Sequence, residues 1–521
     1  MSTVRSVRES TIAWSLAALA PFLSLVVVRP WTPSAFPVWD YADMLPLLRP
    51  ARTLGSAFAA LVHFTRADGR ANYLTYLQLA ATWRVAGDNP VAWQWQRAIL
   101  MLVSGCLCVW VIRRLGGTAI AAATAGLLVT LAVPSTEGWL FIMGEPLAII
   151  LLLAMVLVGA DYPTAAHWRG RAVGIAILAA LVMLSKEVVG VCLPAIVFFI
   201  VCWSSEHGFG RPKFGPRERL LAALLSIVLI AEAWSVRTAL AGAASTAYAM
   251  SFGHSTADAG TIATLFQAML LPDRFSSAGV ASDLYPANFA FLALLIVGLL
   301  SSATRAAAHR DFWSWSVGLL SFPVIGALTY ALWPRYSAFY GLPFFAGSVG
   351  LMAVAATEIQ RQHPGGRWVV AILGSVSVLY TAAVSRRTVE YKRAIANIAA
   401  AIVHRLPREP PLDTLFMVVP RRGGRRWPVT ADELRHYARA LQIPDPAIPV
   451  MRDAPCEEII SRLRHPLGGN AVLNDQNPCG PLPAVTIDWA AVMAYRDPWS
   501  WRVRYDTVAV QILAPNWNTR H

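Results

Sequence analysis

The run Thr11-Ile-Ala-Trp-Ser-Leu-Ala-Ala-Leu-Ala-Pro-Phe-Leu-Ser-Leu-Val-Val-Val28 carries no charge, and Pro37-Val38-Trp39-Asp40-Tyr41-Ala42-Asp43 follows it closely. At about 1.5 Å per residue, the first stretch approaches the roughly 30 Å hydrocarbon core of a bilayer. The second sets two carboxylates just beyond it. A span followed at once by paired acids places chemistry at a membrane surface, within reach of a lipid-borne substrate.

The rest of the chain repeats the first half of that pattern. It is 521 residues long, 56% hydrophobic and 14% charged, with a mean hydropathy of +0.49. Soluble proteins carry about 25% charged residues. Apolar runs separated by short polar stretches predict an α-helical polytopic membrane protein with about eleven transmembrane helices, because only helices and closed barrels satisfy their backbone in lipid. The expected spans are 11–28, 97–113, 118–133, 146–160, 172–185, 188–203, 219–236, 287–303, 313–332, 337–357 and 368–384. No small-residue cleavage site follows the first run, so it reads as an uncleaved span rather than a signal peptide.

The formal net charge of +14 does not point to nucleic acid. The basic residues fall in alternate short loops: Arg113-Arg114, His167–Arg171, Arg211–Arg219, Arg305–Arg310 and Arg361–Arg367. That alternation is the positive-inside pattern. It sets Arg5 and Arg8 with the N-terminus in the cytoplasm, and an odd number of spans then carries the C-terminus outside. The twenty tryptophans suit an aromatic belt at the membrane interfaces.

Three regions follow. Residues 1–385 form the transmembrane domain, with long outer loops at 29–96 and 238–286. The first contains amphipathic stretches at Thr53–Phe64 and Tyr73–Val85. Residues 386–411 read as a linker. Residues 412–521 read as a small soluble α+β extracytoplasmic domain, with strands at Leu415–Val419, Ala471–Leu473, Val485–Asp488 and Thr507–Leu513 and helices at Thr430–Leu441 and Cys456–Leu467. Cys456 and Cys479 are the cysteine pair of this tail, and an oxidising compartment makes them a disulfide candidate. Cys106, Cys108, Cys192 and Cys202 lie inside spans and read as packing residues.

Four features gather on the expected outer face. They are Asp40 with Asp43, Pro134–Trp139 with Glu137 and nearby Glu145, Ser185-Lys186-Glu187, and Trp333-Pro334-Arg335-Tyr336. Lys186 is one of three lysines against forty-one arginines, and it sits in an otherwise apolar hairpin. An ionisable group there costs several kcal/mol unless paired. Glu187 is the nearest acid in sequence, although helix neighbours do not face one another. A snorkelling interface charge is the plainer alternative. Asp43 also reads as a cap for the helix that opens at Met44.

Taken in order, these features, together with Asn89-Pro90 and Arg97 before the second span, resemble the GT-C superfamily of integral membrane glycosyltransferases. The likeness is to the branch with protein mannosyltransferases, aminoarabinose transferases and TMTC-type mannosyltransferases, and it covers roughly residues 10–385. Many relatives have adjacent acids in the first outer loop, whereas Tyr41 and Ala42 separate Asp40 from Asp43 here, so either is a candidate base. Glu145 stands where several relatives have a basic or small residue.

The resemblance implies inverting transfer of a sugar from a polyprenyl-phosphate-linked donor to a lipid, glycan or protein acceptor, at the outer face of a bacterial cytoplasmic membrane. Asp40 or Asp43 would be the general base. Lys186, Arg335 and Tyr336 would hold the donor phosphate. Glu137, Glu187 and Glu145 would shape the acceptor and active site. Some relatives need a divalent ion held by acids, which Asp40 and Asp43 could supply, while nothing elsewhere has metal-ligand spacing. The competing readings are a polytopic transporter and a lipid-linked glycan polymerase or ligase of the cell envelope. A transporter calls for charges near the midplane, and a ligase for a larger version of His254 and Arg274 in loop 238–286.

Overall fold

The computed structural model describes residues 10–35, 44–67, 72–139, 144–204, 208–209, 215–242, 259–272, 286–303, 306–331 and 341–404, and in the tail 415–419, 434–435, 438, 450–452, 457–458, 471–474, 484–493 and 504–513. The first apolar run is α1 (Thr11–Leu19), a 3-10 turn at Ala20–Phe22 and α2 (Leu23–Val28). The Ser10 hydroxyl caps α1 by accepting from Ala13 N at 3.2 Å. The break coincides with Pro21, which cannot donate to a helical ladder.

Two amphipathic helices follow, α3 (Leu54–Ala67) and α4 (Tyr73–Ala86), at the stretches their pattern indicates. The bundle continues with α5 (Pro90–Arg114), α6 (Ala119–Leu131), α7 (Val133–Thr136), a 3-10 turn at Glu137–Trp139, α8 (Glu145–Gly159) and α9 (Trp168–Ser185). After a 3-10 turn at Glu187–Cys192 come α10 (Leu193–Cys202), a small hairpin of β1 (Trp203–Ser204) and β2 (Gly208–Phe209), and α11 (Pro216–Gly242). Then come α12 (Ala259–Leu270), α13 (Pro286–Ala303), α14 (Ala306–Ala331), α15 (Leu342–Gln362) and α16 (Gly366–His404).

Among the described residues, six helical stretches are long and apolar enough to cross a bilayer: Thr11–Val28, Pro90–Arg114, Trp168–Ser185, Ser314–Ala331, Leu342–Gln362 and Gly366–Glu390. The other apolar helices are shorter, among them Ala119–Leu131 and Glu145–Gly159. Large apolar side chains such as Leu16, Ile99, Trp110, Ile177, Leu300 and Ile372 are exposed on the bundle's outer faces. Water would not tolerate so much continuous apolar surface, whereas lipid tails solvate it. The chain is a multi-pass membrane protein.

Small residues set the closest helix approach, as is usual where lipid and side chain are equally apolar. Gly105 of α5 faces Gly126 of α6. A Cβ at Gly105 would fall 2.7 Å from the Thr130 methyl, 2.9 Å from Pro21 and 3.1 Å from the Gly126 carbonyl. Pro21 at the break of the first span thus seats on the glycine seam behind it.

Several boundaries differ from the sequence reading, each for a local reason. α5 begins at Pro90 rather than 97, because the Asn89 side chain accepts from Val91 N and Ala92 N, and proline suits the first helical turn. The connector expected over 238–286 opens inside α11 and carries α12, whose Leu265, Ala268 and Met269 are buried and whose Met269 carbonyl accepts from the Ser348 hydroxyl at 2.9 Å. The linker expected from 386 is helical through His404, as the continuation of α16.

In the tail, β3 (Leu415–Val419), β4 (Val450–Arg452), β5 (Ala471–Asn474), β6 (Ala484–Met493) and β7 (Arg504–Leu513) form a sheet of order β4-β3-β5-β7-β6. β3 runs parallel to β4 and β5, while β7 is antiparallel to β5 and β6. The register pairs Ile487 with Val510 and Val485 with Ile512. β4 was not expected from the sequence. The helices expected over 430–441 and 456–467 fall almost wholly outside the described residues. α16 reaches the sheet directly and packs against β6.

The bundle has two chemically distinct ends. At one, the basic loops meet. Arg361 donates to the Gly116 carbonyl at 2.5 Å, Gln360 donates to the Thr118 hydroxyl at 2.8 Å, and Arg114 pairs with Asp161 at 2.7 Å. Arg169 and Arg217 lie over the Trp168 ring, and Arg113 lies over Trp14 near the start of α1. The loops picked out by charge alternation therefore do share one end. At the opposite end α2 and α9 stop, and α8 and α15 start.

Candidate active site

A buried cluster closes that second end. Val28 ends α2, Ala98 and Met101 sit on α5, Trp139 ends the 3-10 turn, Ile149 is on α8, Leu342 opens α15, and Val389 is on α16. Trp139 is fixed because its indole N–H donates to the Thr130 carbonyl at 2.7 Å. A buried tryptophan of this kind contributes about 1.5–3 kcal/mol through its apolar surface. Polar side chains border the cluster: Ser135 and Thr136 on α7, Ser385 and Thr388 on α16, and the fully buried Arg97 of α5. Thr136 donates to Ser385 at 3.1 Å.

The charged centre of this end is an ion pair. Lys186 Nζ lies 3.0 Å from Glu145 Oε1, with the side chains 11% and 2% exposed. The chain makes this pair by stopping two helices beside each other. α9 ends at Ser185, and Lys186 follows in an extended conformation (φ −160°, ψ 102°) before the 3-10 turn begins. Lys186 N still donates to Val182 O at 2.9 Å, so the residue caps α9, and its extended conformation turns the chain off the helix there. Glu145 occupies the first turn of α8, where the helix dipole favours a negative charge.

Lys186 therefore pairs with Glu145, forty-one positions away in sequence, a partner that sequence proximity did not suggest. Nor does it snorkel to water. Glu145 Oε2 has no hydrogen-bond partner among the described residues, which leaves an acceptor open at the site.

Gly144 makes the approach possible. The Thr75 hydroxyl of α4 donates to the Ser185 carbonyl at 2.7 Å. A Cβ on Gly144 would strike both that carbonyl and that hydroxyl. Gly144→Ala is expected to destabilise the fold by about 1–3 kcal/mol, the usual cost of overpacking, and to reduce function with it. Thermal unfolding of detergent-purified protein reads this directly, and an unchanged midpoint would contradict the packing described.

The segment that bears the aspartates is anchored to this end on both sides. Before it, the Ser34 hydroxyl accepts from Gln94 at 2.5 Å, and Ala35 N donates to the Asn397 side chain at 2.7 Å. After it, Leu45 and Leu48 pack with Tyr76, Leu79, Trp83 and Trp93. Tyr76 neighbours Thr75, which touches the residue before Lys186. Asp40, Asp43, Arg335 and Tyr336 themselves lie outside the described residues, as do Cys456, Cys479, His254 and Arg274. Glu137 and Glu187 are described in backbone only, each opening a 3-10 turn.

The sequence did not single out a second charged group here. Arg393 of α16 is buried, donating to Val28 O at 2.7 Å, Arg29 O at 3.0 Å and Gln94 Oε1 at 2.9 Å. Burial lowers its pKa to about 10, with Glu390 raising and Arg29 lowering it, so it stays a cation at neutral pH. Its signal was present in the helical spacing of Val389, Ala396 and Val403, all buried on α16. Among the described residues no group of His, Cys, Asp and Glu is placed to hold a metal ion.

No family model matches the chain, and no curated protein matches it in sequence. Solved structures similar to it include ArnT from Cupriavidus metallidurans bound to undecaprenyl phosphate, at 14% identity over 96% of this chain and 97% of that one, with a TM-score of 0.42. Arabinofuranosyltransferase AftD from Mycobacteria matches at 15% identity over 98% of this chain and 42% of that one, with a TM-score of 0.47. The Archaeoglobus fulgidus oligosaccharyltransferase in its apo form matches at 11% identity over 90% of this chain and 70% of that one, with a TM-score of 0.43. At such identities and TM-scores, what this chain does has to be argued from its own residues.

Proposed function

We propose that this chain is a GT-C-type glycosyltransferase that moves a sugar from a polyprenyl-phosphate donor to an acceptor at the outer face of a bacterial cytoplasmic membrane. The observation that carries this reading is the buried Lys186–Glu145 pair, which lies at the bundle end opposite the basic loops. A lysine held there in low dielectric is a strong but cancelled charge. A lipid phosphate arriving from the bilayer can take over its ammonium, while Glu145 limits the charge left when the site is empty.

The chemistry assigns a role to each residue. Asp40 or Asp43 would take the proton from the acceptor hydroxyl as it attacks the anomeric carbon. Lys186, with Arg335 and Tyr336, would stabilise the departing polyprenyl phosphate. A single displacement from the side opposite the phosphate inverts the anomeric centre. Glu137 and Glu187 would line the acceptor side. The basic end would face the cytoplasm with the N-terminus, the membrane crossings would number about eleven, and the tail would fold as a small α+β domain outside, where Cys456 and Cys479 could pair.

A transporter fits less well. Ion-coupled transport favours charges near the bilayer midplane, whereas Glu145 and Lys186 sit at helix ends. Mass profiling of glycans and glycolipids in membranes of a deletion strain, with and without the wild-type gene, tests the proposal. A single sugar-sized mass step that appears only with the gene is the expected result. Identical profiles would remove the glycosyltransferase reading.

A further inference from the structure

Chain direction changes abruptly where the first span hands over to the aspartate-bearing segment. Arg29, the residue that ends α2, has φ 53° and ψ 65°. That left-handed conformation costs a non-glycine residue about 1–2 kcal/mol, and glycine is the usual occupant of such a helix end. Something has to hold an arginine there.

Locally, Arg29 N donates to Leu25 O at 2.8 Å and Arg29 O accepts from Thr32 N at 3.0 Å, and further bonds come from one face of α16. Val389, Arg393 and Asn397 are spaced four apart and so share that face. Val389 packs on Val28 in the closing cluster. Arg393 takes the last carbonyls of the first span, Val28 O and Arg29 O, with its two terminal nitrogens. Asn397 accepts from Ala35 N. Gln94 links the two sides, accepting from Arg393 at 2.9 Å and donating to Ser34 at 2.5 Å. The exit path from Val28 to Ala35 is thus tied at both ends to a single helix, and Arg393 is the buried centre of the ties. The same helix runs from the basic end of the bundle and continues to the sheet of the tail, where it packs on β6.

We infer that Arg393, with Asn397 and Gln94, is a positioning device: it clamps the exit of the first span, through Ala35, to α16 and so fixes the point from which the chain leaves for the segment that carries Asp40 and Asp43. The inference rests on the glycosyltransferase reading for what the aspartates do, but not for the clamp. Arg393 touches no reacting atom in this account. Among the described residues its terminal nitrogens meet backbone and amide oxygens, and a lysine, lacking the planar fork, cannot meet Val28 O, Arg29 O and Gln94 in the same arrangement.

The test compares wild-type full-length protein with Arg393→Met, Arg393→Lys and Asn397→Ala, purified in detergent and measured by hydrogen–deuterium exchange. Asn397 is exposed, so its replacement guards against the case in which Arg393→Met does not fold. Exchange over residues 29–44 is expected to quicken at least tenfold in Arg393→Met and several-fold in Asn397→Ala, with Arg393→Lys between them and the bundle helices unchanged. In cells, the sugar mass step should fall at least tenfold for Arg393→Met at equal protein abundance. Binding of undecaprenyl phosphate alone should stay within twofold, since the clamp does not touch the lipid phosphate.

Unchanged exchange in Asn397→Ala and in whichever Arg393 variant folds would overturn the clamp. So would a loss confined to undecaprenyl phosphate binding. If wild type adds no sugar yet exchange quickens as stated, the clamp stands and the glycosyltransferase reading is what fails.

Discussion

Lys186→Met is expected to lower the stability of the protein by about 3–5 kcal/mol and to impair sugar transfer severely. The first effect comes from Glu145, not from the lysine. With Nζ removed, a carboxyl that is 2% exposed loses the cation it pairs with. Its second oxygen has no hydrogen bond among the described residues. Removing one member of a buried pair therefore costs far more than the pair contributes. The double variant Glu145→Gln with Lys186→Met removes both charges and should recover most of that stability, to within about 1–2 kcal/mol of wild type.

Transfer should behave differently, and the contrast makes the prediction sharp. If Lys186 stabilises the departing phosphate, the stable double variant remains severely impaired, because the leaving group has lost its lysine and keeps only Arg335 and Tyr336 of the proposed set. Thermal unfolding in detergent, read beside the glycolipid mass profile, separates the two effects. An unaltered unfolding midpoint in Lys186→Met would mean that water reaches the pair. A double variant that transfers sugar at wild-type level would remove Lys186 from the donor site and leave it a purely structural charge.

The hydropathy of the chain made the bundle legible, because each apolar run has to form its own helix in lipid. The alternation of arginine-rich loops was legible for a similar reason: charge sorting is a local property of each loop. What the sequence hid was pairing. Lys186 stands next to Glu187 in sequence, yet the fold joins it to Glu145, since Lys186 caps α9 in an extended conformation with its Nζ at the start of α8. No spacing rule carries that information.

α16 was hidden for a different reason. Arg386, Arg387, Glu390, Lys392 and Arg393 depress the hydropathy as a linker would. The helix nevertheless stays buried, with Ala396, Ala399, Ile402 and Val403 inside. Polar composition was read as solvent exposure, when Arg386 and Glu390 pair with each other and Arg387 and Arg393 meet carbonyl and amide oxygens.

The other large effect concerns Asp40 and Asp43. Replacing the catalytic one with asparagine is expected to reduce transfer by about 10²–10⁴-fold, the usual contribution of a positioned general base, with donor binding unchanged. Asparagine keeps the size and polarity of the side chain and removes only its capacity to take a proton, so protein abundance should not move. Asp43 also immediately precedes the helical residues 44–48. As a cap, asparagine serves about as well as aspartate, so a purely capping Asp43 would tolerate Asp43→Asn and lose about 1 kcal/mol as Asp43→Ala. The two asparagine variants therefore give four distinct patterns. Loss in Asp40→Asn alone makes Asp40 the base and Asp43 a cap. Loss in Asp43→Asn alone reverses the roles. Loss in both means that the acids act together, as adjacent acids would, despite the intervening Tyr41 and Ala42. Retention in both at wild-type level would leave the acceptor hydroxyl without a base from this segment. The Lys186–Glu145 end would then be a lipid-phosphate site serving some step other than glycosyl transfer.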